Sequence, residues 1–338
     1  MDETRIGKEF SHQMKSVVIT STNKLEDTFI DRFLTQDNQV VVVGDVKTDA
    51  ASYENQQLIY IPIECESHQT FERELPTNHY CRKNLGYLSA INSGATSILD
   101  TDDDNYPIGD INSWGNFELK KVTSPRIPNI LTEFSDRPIW ARGYPLEYIN
   151  KAQPIETQSI SQADFANVGI VQSLVDGNPD VDAIYRLTSS EYTDDFRFKD
   201  ALGFVFAEGV FSQGNTQATL WSKPEIFHLL YIPSTVSFRF CDILKMYIAQ
   251  RCMWEYGLNF AVVSPFFRQV RNAHDYMEDF KSETSMYISV LELLSSILPN
   301  IKLYGDKEDL IRVYEVLIKK GMVQKEELRL LKLFLERT

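Results

Sequence analysis

Four aspartates, Asp100, Asp102, Asp103 and Asp104, crowd into five positions directly after the apolar run Ser97-Ile98-Leu99. Carboxylates this dense repel one another at neutral pH unless a divalent cation or solvent compensates them. Hard carboxylate oxygens suit Mg²⁺ or Mn²⁺, and such an ion can bridge the two phosphates of a nucleoside diphosphate and neutralise it as a leaving group. Two registers are open, Asp100-Thr101-Asp102 and Asp102-Asp103-Asp104, and Asp102 belongs to both. Upstream, the adjacent cations Arg82 and Lys83 offer charge for a diphosphate. Neighbouring helical positions point in different directions, so one of the two is a ligand candidate and the other a surface charge, without a choice between them. The chemistry that unites these groups is a metal-bridged nucleotide-sugar. A solvated acidic loop is the plain competing reading.

These side chains need a sheet to position them. Lys15–Ser21 and residues 39–45 are short, β-branched and apolar, which predicts buried strands. Residues 58–63 predict a third strand, with Pro62 marking an edge or an end. Helix-compatible sequence covers 24–34 and 77–93, and a fourth strand covers 96–100. Alternating apolar strands and helices imply a parallel sheet covered on both faces, with ligands bound beyond the carboxyl ends of its strands. Asp45, Lys47 and the Asp100 cluster then share one crevice. Asp45 suits a uracil or ribose and Lys47 a phosphate, while Thr20 and Asn23 flank the base. Gly86 permits close helix packing, and Tyr87 either stacks on a ligand or fills the core.

Residues 108–162 read as irregular. A helix is expected from Val168, then a turn at 176–180, and a further helix over 242–254. After about Ser282 the chain reads as helical to its end. Residues 325–336 carry Leu328, Leu331 and Leu335 on one stripe, with Lys and Arg on other sides. That pattern suits packing, an oligomer contact or rest on a membrane surface.

Composition narrows the class. The 338 residues are 43% hydrophobic with a net charge of −14, which suits a folded protein and argues against nucleic-acid binding. Cys65, Cys81, Cys241 and Cys252 show no metal spacing, and no run of about 18 apolar residues occurs. A reducing, cytoplasmic setting is the expectation. There is no GxGxxG, GxxxxGK[ST], GxSxG or HExxH pattern.

Five segments, in order, resemble the STELLO glycosyltransferase family: Asp45-Val46-Lys47-Thr48, residues 82–91, Ile98-Leu99-Asp100-Thr101-Asp102-Asp103, Trp140-Ala141-Arg142-Gly143-Tyr144-Pro145-Leu146-Glu147, and Gly177-Asn178-Pro179-Asp180-Val181-Asp182. The resemblance implies a GT-A fold: an α/β, Rossmann-like mixed sheet flanked by helices, spanning 1–285, with a donor half to about 105, an acceptor half after it, and a helical extension over 286–338. It implies a UDP-sugar donor, Mn²⁺ or Mg²⁺ at Asp102 and Asp104, and a glycan or lipid-linked acceptor in polysaccharide synthesis. By the same analogy Asp242 is the acidic residue beside the acceptor hydroxyl, with Asp180 and Asp182 as rivals. Arg239 orients it or binds an acidic sugar. The late polar segment supplies Arg268 and Arg271 for the diphosphate and His274 for metal or phosphate. A nucleotide-sugar mutase and an inactive scaffold that assists assembly are the alternatives.

Overall fold

The computed structural model describes residues 15–338 except 22–26, 36–37, 49, 54–56, 64–69, 112–116, 152, 194 and 271–274. Its strands are β1 (Lys15–Ser21), β2 (Asn38–Gly44), β3 (Ile59–Ile61), β4 (Ser97–Asp102), β5 (Asn105–Pro107), β6 (Leu119–Ser124), β7 (Glu156–Ser159), β8 (Val168–Asp176), β9 (Gly203–Phe206), β10 (Ala218–Trp221) and β11 (Asn259–Gln269). They form one sheet in the order β3-β2-β1-β4-β10-β8-β11-β9-β6-β7, with β5 paired to β11. β1 is parallel to β2 and β4, as expected of the first half. β10 then enters antiparallel to both β4 and β8, which makes the sheet mixed. The sheet runs unbroken through both halves of the chain, and its short β3 is the edge that Pro62 foretold.

The helices are α1 (Asp27–Asp31), α2 (Thr70–Glu74), α3 (Lys83–Asn92), α4 (Gln162–Ala166), α5 (Ala183–Thr188), α6 (Cys241–Met253), α7 (Tyr276–Glu292), α8 (Glu308–Lys319) and α9 (Glu327–Leu335). The helix expected over 77–93 is shorter, because Asn78 takes a φ of 51° and a 3₁₀ turn at Tyr80–Arg82 precedes α3. Gly86 brings α3 down onto the sheet. A Cβ there would meet Val18 Cγ1 at 2.5 Å and Val43 Cγ2 at 2.8 Å. This close seating puts Lys83, the first residue of α3, behind the end of β4.

The expected helix from Val168 is wrong: those residues form β8, a central strand. Buried on nearly every residue, β8 has no polar alternation to mark it, and a short apolar run suits helix or strand alike. Helix α6 is buried all round, with every residue from Cys241 to Met253 in the interior. It carries Lys245 into the core beneath β4.

The C-terminal stripe packs on its own chain. Phe334 meets Tyr231 at 5.2 Å and Phe71 at 6.1 Å between ring centroids, and Leu330 and Leu331 are buried beside it. Arg329 and Arg337 pair with Glu74 and Glu72 of α2. Glu327 accepts hydrogen bonds from Tyr231 and from the Ser234 and Thr235 amides, so α9 is locked down by charge-assisted bonds as well as burial. Among the described residues no helix is long and apolar enough to cross a membrane.

Candidate active-site cleft

A cleft of about 530 Å³ opens beyond the carboxyl ends of β1, β2 and β4. One wall holds Thr20, Ser21, Asp45, Lys47 and the turn from Asn78 to Arg82, and Asp102, Asp103 and Asp104 stand at its centre. The opposite wall holds Arg142, Asp180, Phe238, Arg239 and Asp242, with Asn215, Gln217 and Gln269 completing the lining.

The aspartates of β4 divide. Asp100 is fully buried in a cage of cations and phenol: Lys83 Nζ lies 2.6 Å from its Oδ1, while Tyr87 OH donates to Oδ2 at 2.6 Å and Lys245 Nζ at 3.1 Å. Nothing of it faces the cleft, and Tyr87 is core. Asp102 reaches the cleft. Burial pushes its carboxyl above the ordinary value, against the pull of Lys83 and Tyr80. Burial, with the charges of Asp102 and Asp100, pushes the Tyr80 phenol well above its ordinary range, so it remains a donor toward Asp102. Asp104 accepts from Gln269 Nε2 at 2.7 Å and Asn105 Nδ2 at 2.8 Å, which ties it to β11 and β5. The cleft register is therefore Asp102-Asp103-Asp104.

Lys83 serves this cluster and no diphosphate. Its ammonium is buried and donates to Thr101 O at 2.6 Å, Asp102 Oδ1 at 3.0 Å and Thr216 O at 3.2 Å. Burial lowers its proton affinity, but the charges of Asp100 and Asp102 outweigh that and raise it. For Lys245 burial wins and the shift is downward. Of the paired cations, Arg82 is the one lining the cleft, held by Gly44 O at 3.1 Å and Pro62 O at 3.4 Å.

On the far wall Arg142 clamps two carboxylates. It donates to Asp180 through Nε at 2.8 Å and Nη2 at 2.9 Å, and to Asp242 through Nη1 at 2.9 Å and Nη2 at 2.8 Å. Burial alone would raise the Asp180 carboxyl, but the Arg142 charge and its forked bonds hold it well below the usual carboxylate range. Arg239 does not orient Asp242. Its guanidinium turns to Glu283 of α7, with Nε at 2.9 Å. Asp182 caps α5, accepting from Tyr185 N at 2.8 Å and Trp140 Nε1 at 2.7 Å, and it is buried away from the cleft.

Asp45 holds its loop, with Oδ1 accepting from Val46 N at 2.7 Å and Asn78 N at 3.0 Å, and exposed Lys47 stands beside it. Thr20 turns toward Asp102. Arg268 lies outside the cleft, paired with Asp195 at 2.8 Å on the surface. Asn23, Arg271 and His274 lie outside the described residues. Sequence reasoning missed Arg142 as the clamp, Tyr80, Asn215, Gln217 and Gln269. Arg142 stood inside one of the five matched segments, but nothing local signals a partner a hundred residues away.

Among the described residues no three His, Cys, Asp or Glu side chains form a ready metal cage. The donor set nonetheless fits Mg²⁺ or Mn²⁺ as such ions bind at phosphates, through one or two carboxylates completed by substrate and water. Asp102 and Asp104 would supply those oxygens.

A family model described as STELLO glycosyltransferases matches residues 239–338. Two proteins of Arabidopsis thaliana are similar over more of the chain. "Probable glycosyltransferase STELLO1" is 30% identical over 244 residues, 66% of this chain and 31% of that protein. "Probable glycosyltransferase STELLO2" is 27% identical over 282 residues, 77% of this chain and 36% of that protein. The chain thus spans about a third of the length of these curated relatives. It is STELLO-like.

Proposed function

We propose that this STELLO-like chain is a glycosyltransferase that moves a sugar from a nucleoside-diphosphate donor, with UDP the expected nucleotide, to a hydroxyl of a glycan acceptor. One observation carries the reading: a single cleft at the carboxyl end of the sheet brings the Asp102-Asp103-Asp104 carboxylates together with Lys47 and Arg82 on one side and the Arg142-held Asp242 on the other. Mn²⁺ or Mg²⁺ bound at Asp102 and Asp104 would supply charge neutralisation of the diphosphate leaving group. Asp45 offers an acceptor to the base or ribose. Lys47, exposed at the rim, reaches for phosphate. Asp242 accepts the proton of the attacking hydroxyl, because Arg142 fixes the direction of its carboxylate while leaving it at the cleft wall. Asp180 is the poorer base, since the same arginine holds it well below the usual range. Asp182 faces elsewhere.

The test is thermal unfolding with nucleoside diphosphates and nucleotide-sugars, each with and without Mn²⁺, on the wild type and Asp102→Ala. A ligand at about a hundred times its Kd adds about 2.7 kcal/mol of stability. Stabilisation by one nucleotide class, dependent on metal and absent from Asp102→Ala, supports the reading. Stability unmoved by any nucleotide refutes it and favours the scaffold alternative. Product analysis separates transfer from a mutase, which would return an isomerised donor with no acceptor present.

A further inference from the structure

The hydrogen bonds of Asp102 are one-sided. All three converge on Oδ1: Thr20 Oγ1 donates at 3.2 Å, Lys83 Nζ at 3.0 Å, and Tyr80 OH completes the set. Among the described residues none reaches Oδ2, although the side chain retains 23% of its exposure and lines the cleft. Asp100 is the internal control. It is fully buried, with Tyr87 and Lys245 donating to Oδ2 and the Lys83 ammonium 2.6 Å from Oδ1 as an ion pair.

We infer that Thr20, Tyr80 and Lys83 are positioning residues that present Asp102 to a divalent cation through Oδ2 alone. The inference rests on the metal-dependent reading of the cleft. A carboxylate offers about four acceptor sites in all, so three donors on one oxygen leave that oxygen little to give a metal. The donors come from three separate elements: Thr20 from β1, Tyr80 from the turn before α3, and Lys83 from α3 itself. Rotating the carboxylate to chelate with both oxygens would break bonds to all three. Nor can Lys83 follow such a rotation, because Thr101 O and Thr216 O anchor its ammonium. Single-oxygen coordination would leave room for Asp104, water and phosphate oxygens, which suits an ion that binds through one or two carboxylates and keeps several waters. Outer groups that orient a metal ligand matter nearly as much as the ligand itself.

Lys83 is an ambiguous residue to mutate, since removing a positive charge next to the ion attracts the cation even as it frees the ligand. Neutral substitutions avoid this. Tyr80→Phe removes one donor and keeps the ring against Phe238, 5.6 Å away between centroids. Thr20→Val removes another at nearly constant volume. Mn²⁺ affinity would be read from the electron paramagnetic resonance signal of the free ion, with saturating UDP, for the wild type, both variants and Asp102→Asn.

The expected result is roughly tenfold weaker Mn²⁺ binding in Tyr80→Phe, a smaller loss in Thr20→Val, and no binding in Asp102→Asn. The metal-free melting temperature should stay at the wild-type value in both neutral variants. A merely structural role would shift the melting temperature and leave Mn²⁺ affinity alone. Wild-type Mn²⁺ affinity in both folded variants would overturn the positioning role while the metal reading stands. A wild type that binds no Mn²⁺ would overturn the metal reading and this assignment with it. If Tyr80→Phe does not fold, Thr20→Val decides.

Discussion

Asp100 and Asp102 stand on one strand, on the same face of it, roughly 7 Å apart. They have the same chemistry and share Lys83 as a partner. Asp100 is sealed between α3 and α6, paired with the Lys83 and Lys245 ammonium groups and without exposure. Asp102, one pleat further, stands where the sheet ends and keeps one oxygen uncommitted. The difference teaches that the end of a strand, one pleat away, is enough to separate a sealed structural anion from a carboxylate with an oxygen turned to the cleft. Asp100 is a structural anion that holds two buried ammonium groups in place. Asp102 borrows one of those cations to aim itself at the cleft.

The largest expected effect tests the sealed partner. Asp100→Asn leaves Lys83 and Lys245 facing each other without their main counter-charge. Removing one member of a buried ion pair costs about 3–5 kcal/mol, and we expect a loss in that range by urea denaturation. Lys245 already has a depressed proton affinity, so it would shed its proton first and spare part of the cost. A loss below about 1 kcal/mol would erase the distinction between the two aspartates.

Arg142→Met extends the comparison to the opposite wall, where one guanidinium plays the part of the two lysines. Its partners are slightly more exposed than Asp100, with side-chain values of 15% for Asp180 and 8% for Asp242. A loss near 3 kcal/mol at neutral pH is expected. The pH dependence should change sign. In the wild type the depressed Asp180 group contributes stability above the ordinary carboxylate range and loses it only as pH falls into strong acid. In the variant an unpaired Asp180 gains a proton more easily, so stability should be higher at pH 4–5 than at pH 7. Denaturation midpoints across that range decide.

A third carboxylate is buried without an adequate cation. Burial pushes Asp182 up to about 7, despite bonds from Tyr185 and Trp140. The folded protein then holds a proton there that the unfolded chain releases above about pH 4. Stability should rise as pH falls from about 7 to 4, by up to about 1.4 kcal/mol per pH unit from this group. Asp182→Asn should flatten that slope in the same titration. An unchanged slope would mean that Asp182 is already satisfied as an anion, like Asp100.

The smallest effect belongs to Asp102 itself. Asp102→Asn keeps an oxygen for Thr20 and Tyr80, and Lys83 keeps Asp100, so stability should change by less than about 1 kcal/mol. The metal-dependent response to UDP should vanish in the same protein. Stability lost on the scale of Asp100→Asn would instead make Asp102 a structural anion too.

Local sequence carried much of the first half of the fold. Val40-Val41-Val42-Val43 can be little but a buried strand, and β2 forms within a residue of the expected bounds. Thr96 to Asp100 was legible as a strand, but β4 runs on to Asp102, and those two residues decide the register. β8 was illegible because burial on both faces erases alternation. Residues 242–254 were readable as a helix and α6 forms within a residue of those bounds, yet its burial all round hid what Lys245 does. Of the adjacent cations, sequence alone could not choose. The seating of α3 on the sheet through Gly86 sends Lys83 inward and leaves Arg82 at the cleft.

The sequence by itself determined that a strand ends in a burst of aspartates, that helix and strand alternate before it, and that the chain resembles a family of glycosyltransferases. The first two follow from side-chain type and near-neighbour spacing, which act over a few residues; the resemblance rests on five segments matched in order. Only the tertiary structure decided which aspartate is caged and which is presented, that Arg142 joins Asp180 to Asp242, and that Thr20 and Tyr80 grip a single oxygen. Those outcomes depend on distances between groups tens to hundreds of residues apart, and the sheet order and the depth at which α3 and α6 pack set those distances.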